Sequence, residues 1–221
     1  MNVSDALLKR KSTRAFLKKE VSSETLRGIL DVARYSPSGV NTQPWQVAVV
    51  TGGKKQSLCA KIEQQFRNSG KGKPDYSYYP DEWKDPYRSR RKACGLQMYS
   101  ALKISREDKE RQRDQWSANY RAFDAPVALF FFLDPVLGTG SFVDYGMFLQ
   151  SVMLAAVEKG LATCPQAALG EYPDLVKQEL GYPDETTLVC GMALGYEDKN
   201  AVVNSYRTDR LQVDEFTQFF I

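Results

Sequence analysis

Two arginines and a serine near the N-terminus have the chemistry of a phosphate site. Arg10, Ser12 and Arg14 alternate with Lys11 and Thr13 in the stretch RKSTRAF. In an extended segment alternate side chains point to the same side, so two guanidinium groups and one hydroxyl would face one ligand. Each charge-assisted hydrogen bond contributes about 1.5–3 kcal/mol, enough in combination to hold a phosphate monoester. Both faces are polar, so neither is expected to be core, and a solvated basic turn is the alternative interpretation.

A loop rich in turn-forming residues has the chemistry of a site for a polar heterocycle. The stretch SPSGVNTQPW contains Ser38, Asn41 and Gln43, whose hydroxyl and amide groups can hydrogen-bond a ring edge or sugar hydroxyls. Pro37 and Gly39 in the same stretch allow the backbone to approach a ligand closely. Loops of this kind, placed before a strand, often carry function.

The residue types that are absent restrict the chemistry further. The chain has no histidine, which excludes Ser-His-Asp triads, histidine metal ligands and imidazole proton shuttles. It also contains neither a P-loop nor a GxGxxG fingerprint. We therefore predict no metal site and expect a bound cofactor to carry the reaction.

Composition predicts one compact domain over residues 1–221, since 43% of the residues are hydrophobic and 12% aromatic. The formal net charge is +3, from 30 basic and 27 acidic residues, so no nucleic-acid partner is expected. No run approaches the roughly 18–20 apolar residues of a membrane span, so no membrane partner is expected either. The four cysteines form no CxxC pair and no signal-like run follows Met1, which predicts reduced thiols and a cytoplasmic location.

Periodicity predicts the elements that must position these residues. Apolar residues at i, i+3, i+4 and i+7 predict a helix within Ser22–Tyr35. The continuous apolar run APVALFFFL predicts a buried strand at the centre of a sheet. The other predicted elements are helices over Val3–Lys9, residues 53–65, Ser141–Gly160 and from Pro173, with strands over Trp45–Gly52, in LATCPQAALG and over Thr187–Gly195. Strands and helices without regular βαβ repetition predict an α+β fold.

A segment of different composition interrupts this pattern. Residues 66–120 interleave charged residues with Tyr and Trp, which predicts a mobile or irregular insertion continuing into helices. Within it, Arg88, Arg90 and Arg91 could attract a carboxylate or a nicotinamide phosphate. The alternative is stronger here, because a run such as RSRRK is more often a solvated helix face.

The motifs together resemble a known enzyme family. RKSTRAF, SPSGVNTQPW, GLATCPQAALG and NSYRTDR follow one another along nearly the whole chain. In this order they resemble the nitroreductase family of flavin mononucleotide (FMN) enzymes, and more closely its nitrobenzoate-type subgroup. The resemblance implies a mixed, largely antiparallel central sheet flanked by helices, in an intertwined homodimer with FMN at the subunit interface. It also makes the 66–120 insertion a variable wall of the substrate site.

The resemblance assigns cofactor-binding roles to individual residues. The residues implied at the FMN phosphate and ribityl chain are Arg10, Ser12, Arg14 and Arg207, with Arg210 as a helper. Those implied to border the flavin from the partner subunit are Pro37, Ser38, Gly39 and Asn41. Those implied along the isoalloxazine are Pro165, Gln166 and Ala167, with Arg121 near the pyrimidine. Cys164, beside this loop, is expected to be a small buried hydrophobic residue, because nothing basic adjoins it in sequence.

The resemblance also implies a reaction. NADPH or NADH would deliver a hydride to flavin N5 and leave, and a nitroaromatic or quinone acceptor would replace it in the same pocket. Such a ping-pong route needs no dedicated acid or base, so no catalytic side chain is predicted. Two alternatives stay open: another flavin reaction on this fold, such as quinone or flavin reduction, reductive dehalogenation or metabolite dehydrogenation, and, from a different class, a phosphate- or nucleic-acid-binding module.

Overall fold

The computed structural model describes all residues from Met1 to Ile221 and contains seven helices and four strands, besides short 3-10 turns. The helices are α1 (Val3–Lys9), α2 (Ser23–Ala33), α3 (Gly52–Ser69), α4 (Tyr87–Ala101), α5 (Lys109–Ser117), α6 (Ser141–Glu158) and α7 (Pro173–Leu180). The strands are β1 (Gln46–Thr51), β2 (Val127–Leu133), β3 (Ala162–Gln166) and β4 (Thr187–Gly195). These bounds confirm every helix and strand predicted from periodicity to within a few residues.

The four strands form one antiparallel sheet in the order β1-β2-β4-β3. The predicted central strand is confirmed, because β2 pairs with β1 on one side and β4 on the other and all seven of its residues are buried. The predicted α+β class is also confirmed. The parallel component expected of a mixed sheet is confined to one isolated bridge, between Ser12 and Thr163.

Strand β2 separates two hydrophobic cores. Its residues of one parity pack with α2 and α6 in a cluster of 19 buried residues, and those of the other parity pack with α3 and α7 in a cluster of 18. A strand covered on both faces must be apolar at consecutive positions. That double burial explains why VALFFFL shows no alternation.

Local signals in the sequence fix the ends of the helices on one side of the sheet. The Ser22 hydroxyl accepts a hydrogen bond from the Thr25 backbone N–H at 3.2 Å, an N-cap that starts α2. Helix α6 ends at Glu158, and Gly160 follows with a φ of 73°, a conformation that favours glycine. None of the helices combines the length and apolarity needed to cross a membrane.

The 66–120 insertion is anchored to the sheet by a buried ion pair. Lys177 of α7 is 2% exposed, and its Nζ lies 3.2 Å from Asp75 Oδ1. The same ammonium donates to the backbone carbonyls of Asp184 at 2.8 Å and Thr186 at 3.0 Å. Asp75 Oδ2 accepts the Leu188 backbone N–H of β4 at 2.7 Å. One carboxylate thereby holds the start of the insertion against β4, while α4 further on has no buried residue.

We expect Lys177→Met to lower the free energy of unfolding by about 3–5 kcal/mol, because it leaves the carboxylate of Asp75 without its cation. Urea denaturation followed by circular dichroism measures this change at a fixed cofactor concentration. The matched control is Lys54→Met, which removes a half-exposed partner of Glu179 and should cost no more than about 1 kcal/mol. Equal losses in the two variants would contradict an anchoring role for Lys177.

Candidate functional site

The arginine segment is extended and lies along the outer edge of β3. The Thr13 backbone N–H donates to the Thr163 carbonyl at 3.0 Å, next to the bridge between Ser12 and Thr163. The expected extended conformation is therefore present. The expectation that neither face is core was wrong, since Thr13 is 1% exposed. Contact with a strand edge buries one parity of the segment even though its side chains are polar.

Because successive side chains of this segment point to opposite sides, Lys11 and Arg14 have different partners. Lys11 belongs to the parity opposite to the arginines, and its Nζ lies 2.7 Å from Glu197 Oε1 and 2.6 Å from the Asn204 carbonyl. Arg14 instead has its Nη1 within hydrogen-bond reach of the Tyr206 hydroxyl at 3.4 Å. The charge of Lys11 is thus neutralised within the protein, whereas that of Arg14 has no carboxylate partner.

Four guanidinium groups gather where the tail meets the N-terminal segment: Arg10, Arg14, Arg207 and Arg210, called here the arginine cluster. Arg207 Nη2 donates to the Arg10 carbonyl at 2.6 Å. Burial, and then the charges of Arg210 and Arg207, hold the pKa of Arg10 below its ordinary value. None of the four takes part in an ion pair with a carboxylate. Like charges held together without a counterion fit a phosphate dianion, which guanidinium forks bind well.

The amide of Asn204 fastens the tail to the arginine segment. Its Oδ1 accepts the Arg14 backbone N–H at 2.8 Å, and its Nδ2 donates to the carbonyls of Ala15 at 2.9 Å and Asp198 at 2.8 Å. Asn204 is 5% exposed. Sequence reasoning did not assign it a role, although it opens the quoted motif NSYRTDR.

Cys164 lies beneath the arginine segment. Burial raises the pKa of its thiol to about 11, against the opposite effects of the Arg14 charge, the Ser12 hydrogen bond and the Arg10 charge. Two basic groups, Arg10 and Arg14, therefore lie near Cys164 in space although they are far from it in the sequence. Desolvation still dominates, so the thiol stays protonated near neutral pH and acts as the small buried residue that was expected.

The loop around Pro37 leads into β1, at the sheet edge opposite to β3. The Gly39 backbone N–H donates to Asp144 Oδ1 at 3.1 Å, and the Ser38 hydroxyl accepts the Gln43 N–H at 2.9 Å. Val40, at the tip, is 98% exposed with a φ of 45°. No hydrogen bond or ion pair joins residues 37–41 to the arginine cluster.

Asp144 is a second residue that sequence reasoning missed. It is 9% exposed on the mostly apolar helix α6 and orients the loop through its bond to Gly39. A lone carboxylate within SFVDYGMF was the signal that could have indicated a fixed hydrogen-bond partner.

The turn after β3 places the predicted ring-binding residues. Pro165 and Gln166 end β3, and Ala167 begins a 3-10 turn. Gln166 Nε2 donates to the Asn119 carbonyl at 2.9 Å, while its buried Oε1 has no partner in the protein. A side chain on Gly191 would lie 2.5 Å from Leu169 Cδ1, so the turn depends on a glycine beneath it. The unpaired amide oxygen fits a site that is completed by a polar ligand.

Tyrosines of the insertion face this turn across a cavity of about 200 Å³. Its lining includes Tyr78, Tyr79, Ala167 and Glu171. Glu171 Oε2 accepts the Tyr120 hydroxyl hydrogen bond at 2.6 Å, and burial raises the pKa of Glu171. The insertion thus forms a wall beside the predicted isoalloxazine loop.

Arg121 is not brought to the arginine cluster. Its Nη1 lies 2.6 Å from Glu63 Oε1 and its Nε lies 3.1 Å from Asp124 Oδ1. Two carboxylates already neutralise this guanidinium on the α3 side of the sheet. One of these partners, Asp124, lies three residues after Arg121 in the sequence. A contact of Arg121 with the flavin pyrimidine stays a prediction from the resemblance.

Comparison with known proteins adds a family and near relatives. A family model described as "Nitroreductase family" matches residues 7–196. The chain is 38% identical over 218 residues to a chloronitrobenzene nitroreductase of Comamonas testosteroni, and the aligned residues cover 98% of this chain and 96% of that protein. It is 38% identical over 210 residues to a 4-nitrobenzoate reductase of Pseudomonas putida, covering 95% and 92%. The crystal structure of the FMN and NADPH-dependent nitroreductase NfnB of Sphigopyxis sp. strain HMH superposes with a TM-score of 0.96 and 39% identity, covering 100% of this chain and 99% of that chain.

We expect iodoacetamide at about pH 8 to label Cys94 and to leave Cys164 unmodified. Cys94 is exposed, whereas a pKa of about 11 for Cys164 lowers its thiolate fraction by about two orders of magnitude relative to a free thiol. Peptide mass spectrometry over a time course measures both rates, and unfolding in guanidinium should make them equal. Similar rates in the native protein would show that Cys164 is not desolvated.

Proposed function

The chain belongs to the nitroreductase family, and we propose on that basis that it is an FMN-dependent oxidoreductase that reduces nitroaromatic compounds with NADPH or NADH. The observation that carries this proposal is the arginine cluster, whose four guanidinium groups have no carboxylate partner. A phosphate monoester supplies the missing negative charge, and FMN carries that group. The full-length similarity to enzymes named for chloronitrobenzene and 4-nitrobenzoate supports the acceptor class.

The residues of the arginine cluster would hold the FMN phosphate, with the Ser12 hydroxyl beside it on the ribityl chain. FMN bound there would supply the redox chemistry that links the nicotinamide to the acceptor. Pro165, Gln166 and Ala167 would align the ring, and backbone N–H groups of that turn would stabilise negative charge on it. Catalysis then depends on placing the reacting atoms about 3–3.5 Å apart, with no side chain acting as acid or base.

We further propose that the protein is a homodimer whose flavin sites lie between subunits. Exposed apolar side chains support this arrangement: those at least 45% exposed in α1, α2, α6 and the tail are Val3, Leu7, Leu8, Val32, Val143, Val202, Val213, Phe216, Phe219, Phe220 and Ile221. Exposed apolar surface of this extent marks an interaction site. No hydrogen bond or ion pair joins the loop at residues 37–41 to the arginine cluster of its own chain, and we propose that it borders the flavin of the partner subunit.

The proposed flavin site is compatible with more than one reaction. Quinone or flavin reduction, reductive dehalogenation and metabolite dehydrogenation use the same cofactor site and differ in the substrate wall. Family membership sets aside the phosphate- or nucleic-acid-binding module. The single-domain organisation and the cytoplasmic location stay predictions.

The function is tested first by the visible absorption spectrum of the purified protein. We expect flavin bands that bleach when NADPH or NADH is added without oxygen and return when 4-nitrobenzoate or nitrobenzene is supplied. Flavin fluorescence after heat release gives the stoichiometry. A protein that has no flavin bands even after incubation with FMN would overturn the proposal.

A hybrid dimer tests the shared site. One chain carries Arg10→Ala with Arg14→Ala, and the other carries Ser38→Ala with Asn41→Ala, each with a different affinity tag. We expect both homodimers to lose FMN, since each variant damages both sites, and the hybrid to retain about half a flavin per chain. The hybrid has one intact site only if arginines and loop come from different chains.

The control for the hybrid is Arg106→Ala, which removes an exposed arginine whose side chain has no protein partner and should leave flavin content unchanged. A hybrid that is as empty as the two homodimers would place the loop and the arginines of one site in the same chain.

A further inference from the structure

The three arginines of the basic run on α4 have different interaction partners. Arg88 Nη2 forms an ion pair with Asp85 Oδ2 at 2.5 Å, and the guanidinium of Arg91 stacks 5.1 Å from the ring centroid of Trp83. Arg90 has no carboxylate partner, its guanidinium lies 5.7 Å from the ring centroid of Tyr87, and it lines a cavity. Of the three, Arg90 is the one that lines this cavity.

This cavity, of about 370 Å³, lies between α4 and the tail and is called here the α4–tail cavity. Its lining residues are Arg90, Ala93, Cys94, Gln97, Thr208, Asp209, Arg210 and Leu211. Two guanidinium groups face one carboxylate, and that carboxylate forms no ion pair. The lining therefore carries a net positive charge.

The tail side of the cavity also offers backbone donors. No backbone N–H from Tyr206 to Leu211 donates to a protein acceptor. Consecutive free N–H groups bind anions together with nearby cations. On the side-chain face, Arg210 Nη1 donates to the Thr208 carbonyl at 3.0 Å, the Thr208 hydroxyl at 2.9 Å and the Asp209 carbonyl at 2.9 Å. Arg210 Nη2 and Nε and the Arg90 guanidinium form no hydrogen bond to a protein acceptor, so they and the backbone N–H groups are left for a ligand.

The cavity adjoins the arginine cluster through a short chain of hydrogen bonds. Gln97 Nε2, in the cavity wall, donates to the Arg207 carbonyl at 3.0 Å, and Arg207 Nη2 donates to the Arg10 carbonyl at 2.6 Å. Arg210 belongs to both regions, since it lines the cavity and its charge acts on Arg10. A second anion bound here would lie beside the proposed FMN phosphate site.

We propose that the α4–tail cavity binds the 2′-phosphate of NADPH, with Arg90 and Arg210 as its ligands, and so selects NADPH over NADH. This inference rests on the proposed function. The two nicotinamide cofactors differ only by that phosphomonoester, a dianion near neutral pH. Asp209 offsets part of the positive charge of the two arginines, so a dianion that contacts both Arg90 and Arg210 is attracted more strongly than a neutral hydroxyl at the same position.

The test compares the wild-type protein with Arg90→Gln, Arg90→Lys and the matched control Arg88→Gln, with nitrobenzene as a neutral acceptor. We expect Arg90→Gln to reduce the ratio of kcat/KM for NADPH to that for NADH by about 10- to 100-fold, the loss of one charge-assisted interaction. The loss should appear in the KM for NADPH, with NADH kinetics unchanged. Arg90→Lys should recover part of it, and Arg88→Gln should behave as wild type.

Equilibrium binding gives a readout that does not depend on turnover. Calorimetry should show that adenosine 2′,5′-bisphosphate binds the FMN-loaded wild type at least 10-fold more tightly than it binds the Arg90→Gln protein. Adenosine 5′-monophosphate, which lacks the 2′-phosphate, should not distinguish them. Equal affinities of the bisphosphate for the two proteins would overturn the proposal.

Other outcomes identify a different occupant and also overturn the proposal. If Arg90→Gln lowers FMN affinity, the cavity belongs to the flavin phosphate. If it lowers kcat/KM for 4-nitrobenzoate relative to nitrobenzene and leaves the nicotinamide ratio unchanged, the cavity receives a substrate carboxylate. Failure of the proposed function is a separate result, because then the wild type would oxidise neither NADPH nor NADH.

Discussion

Four guanidinium groups held close together without a carboxylate are the constraint on which the site depends. Their mutual repulsion opposes the arrangement, so other interactions must hold the backbone that carries them. The edge of β3 holds the N-terminal segment through the Thr13 N–H, and Asn204 joins that segment to the tail through both ends of its amide. The fold therefore stabilises an arrangement of charge that an anionic ligand completes.

The antiparallel sheet supports this arrangement by being buried on both faces. Helices cover both faces of β2, and the strand order β1-β2-β4-β3 leaves β3 at one edge of the sheet and β1 at the other. The N-terminal segment covers the β3 edge, which would otherwise expose unpaired backbone groups. The same five residues, 10–14, therefore have two roles. Thr13 contacts the edge of β3, while Arg10, Ser12 and Arg14 supply side chains for binding a ligand.

Most of the architecture could be predicted from the sequence because its elements carry strong local signals. The capped helix α2, the unbroken strand β2 and the glycine after α6 each follow from nearby residues. The burial of Thr13 could not be predicted, since it depends on a strand edge 150 residues away in sequence. The pairing of Arg121 with Glu63 could not be predicted either, because the two residues are 58 positions apart in the sequence. The sequence motifs indicated which residues gather, and side-chain pairing decided which of them keep free charge.

The link made by Asn204 has a consequence for the order in which the protein is built. Arg14 and Asn204 are 190 residues apart in the chain, so the arginine cluster does not exist until almost the whole polypeptide has left the ribosome. Contacts of such long sequence separation form late, because the entropy of closing the loop must be offset by structure already in place. The sheet and both cores can assemble first, with the N-terminal arginines solvated and apart. The capacity to retain an anionic ligand is then acquired at the end of folding, and a chain truncated before its tail would fold its core and lack its binding site.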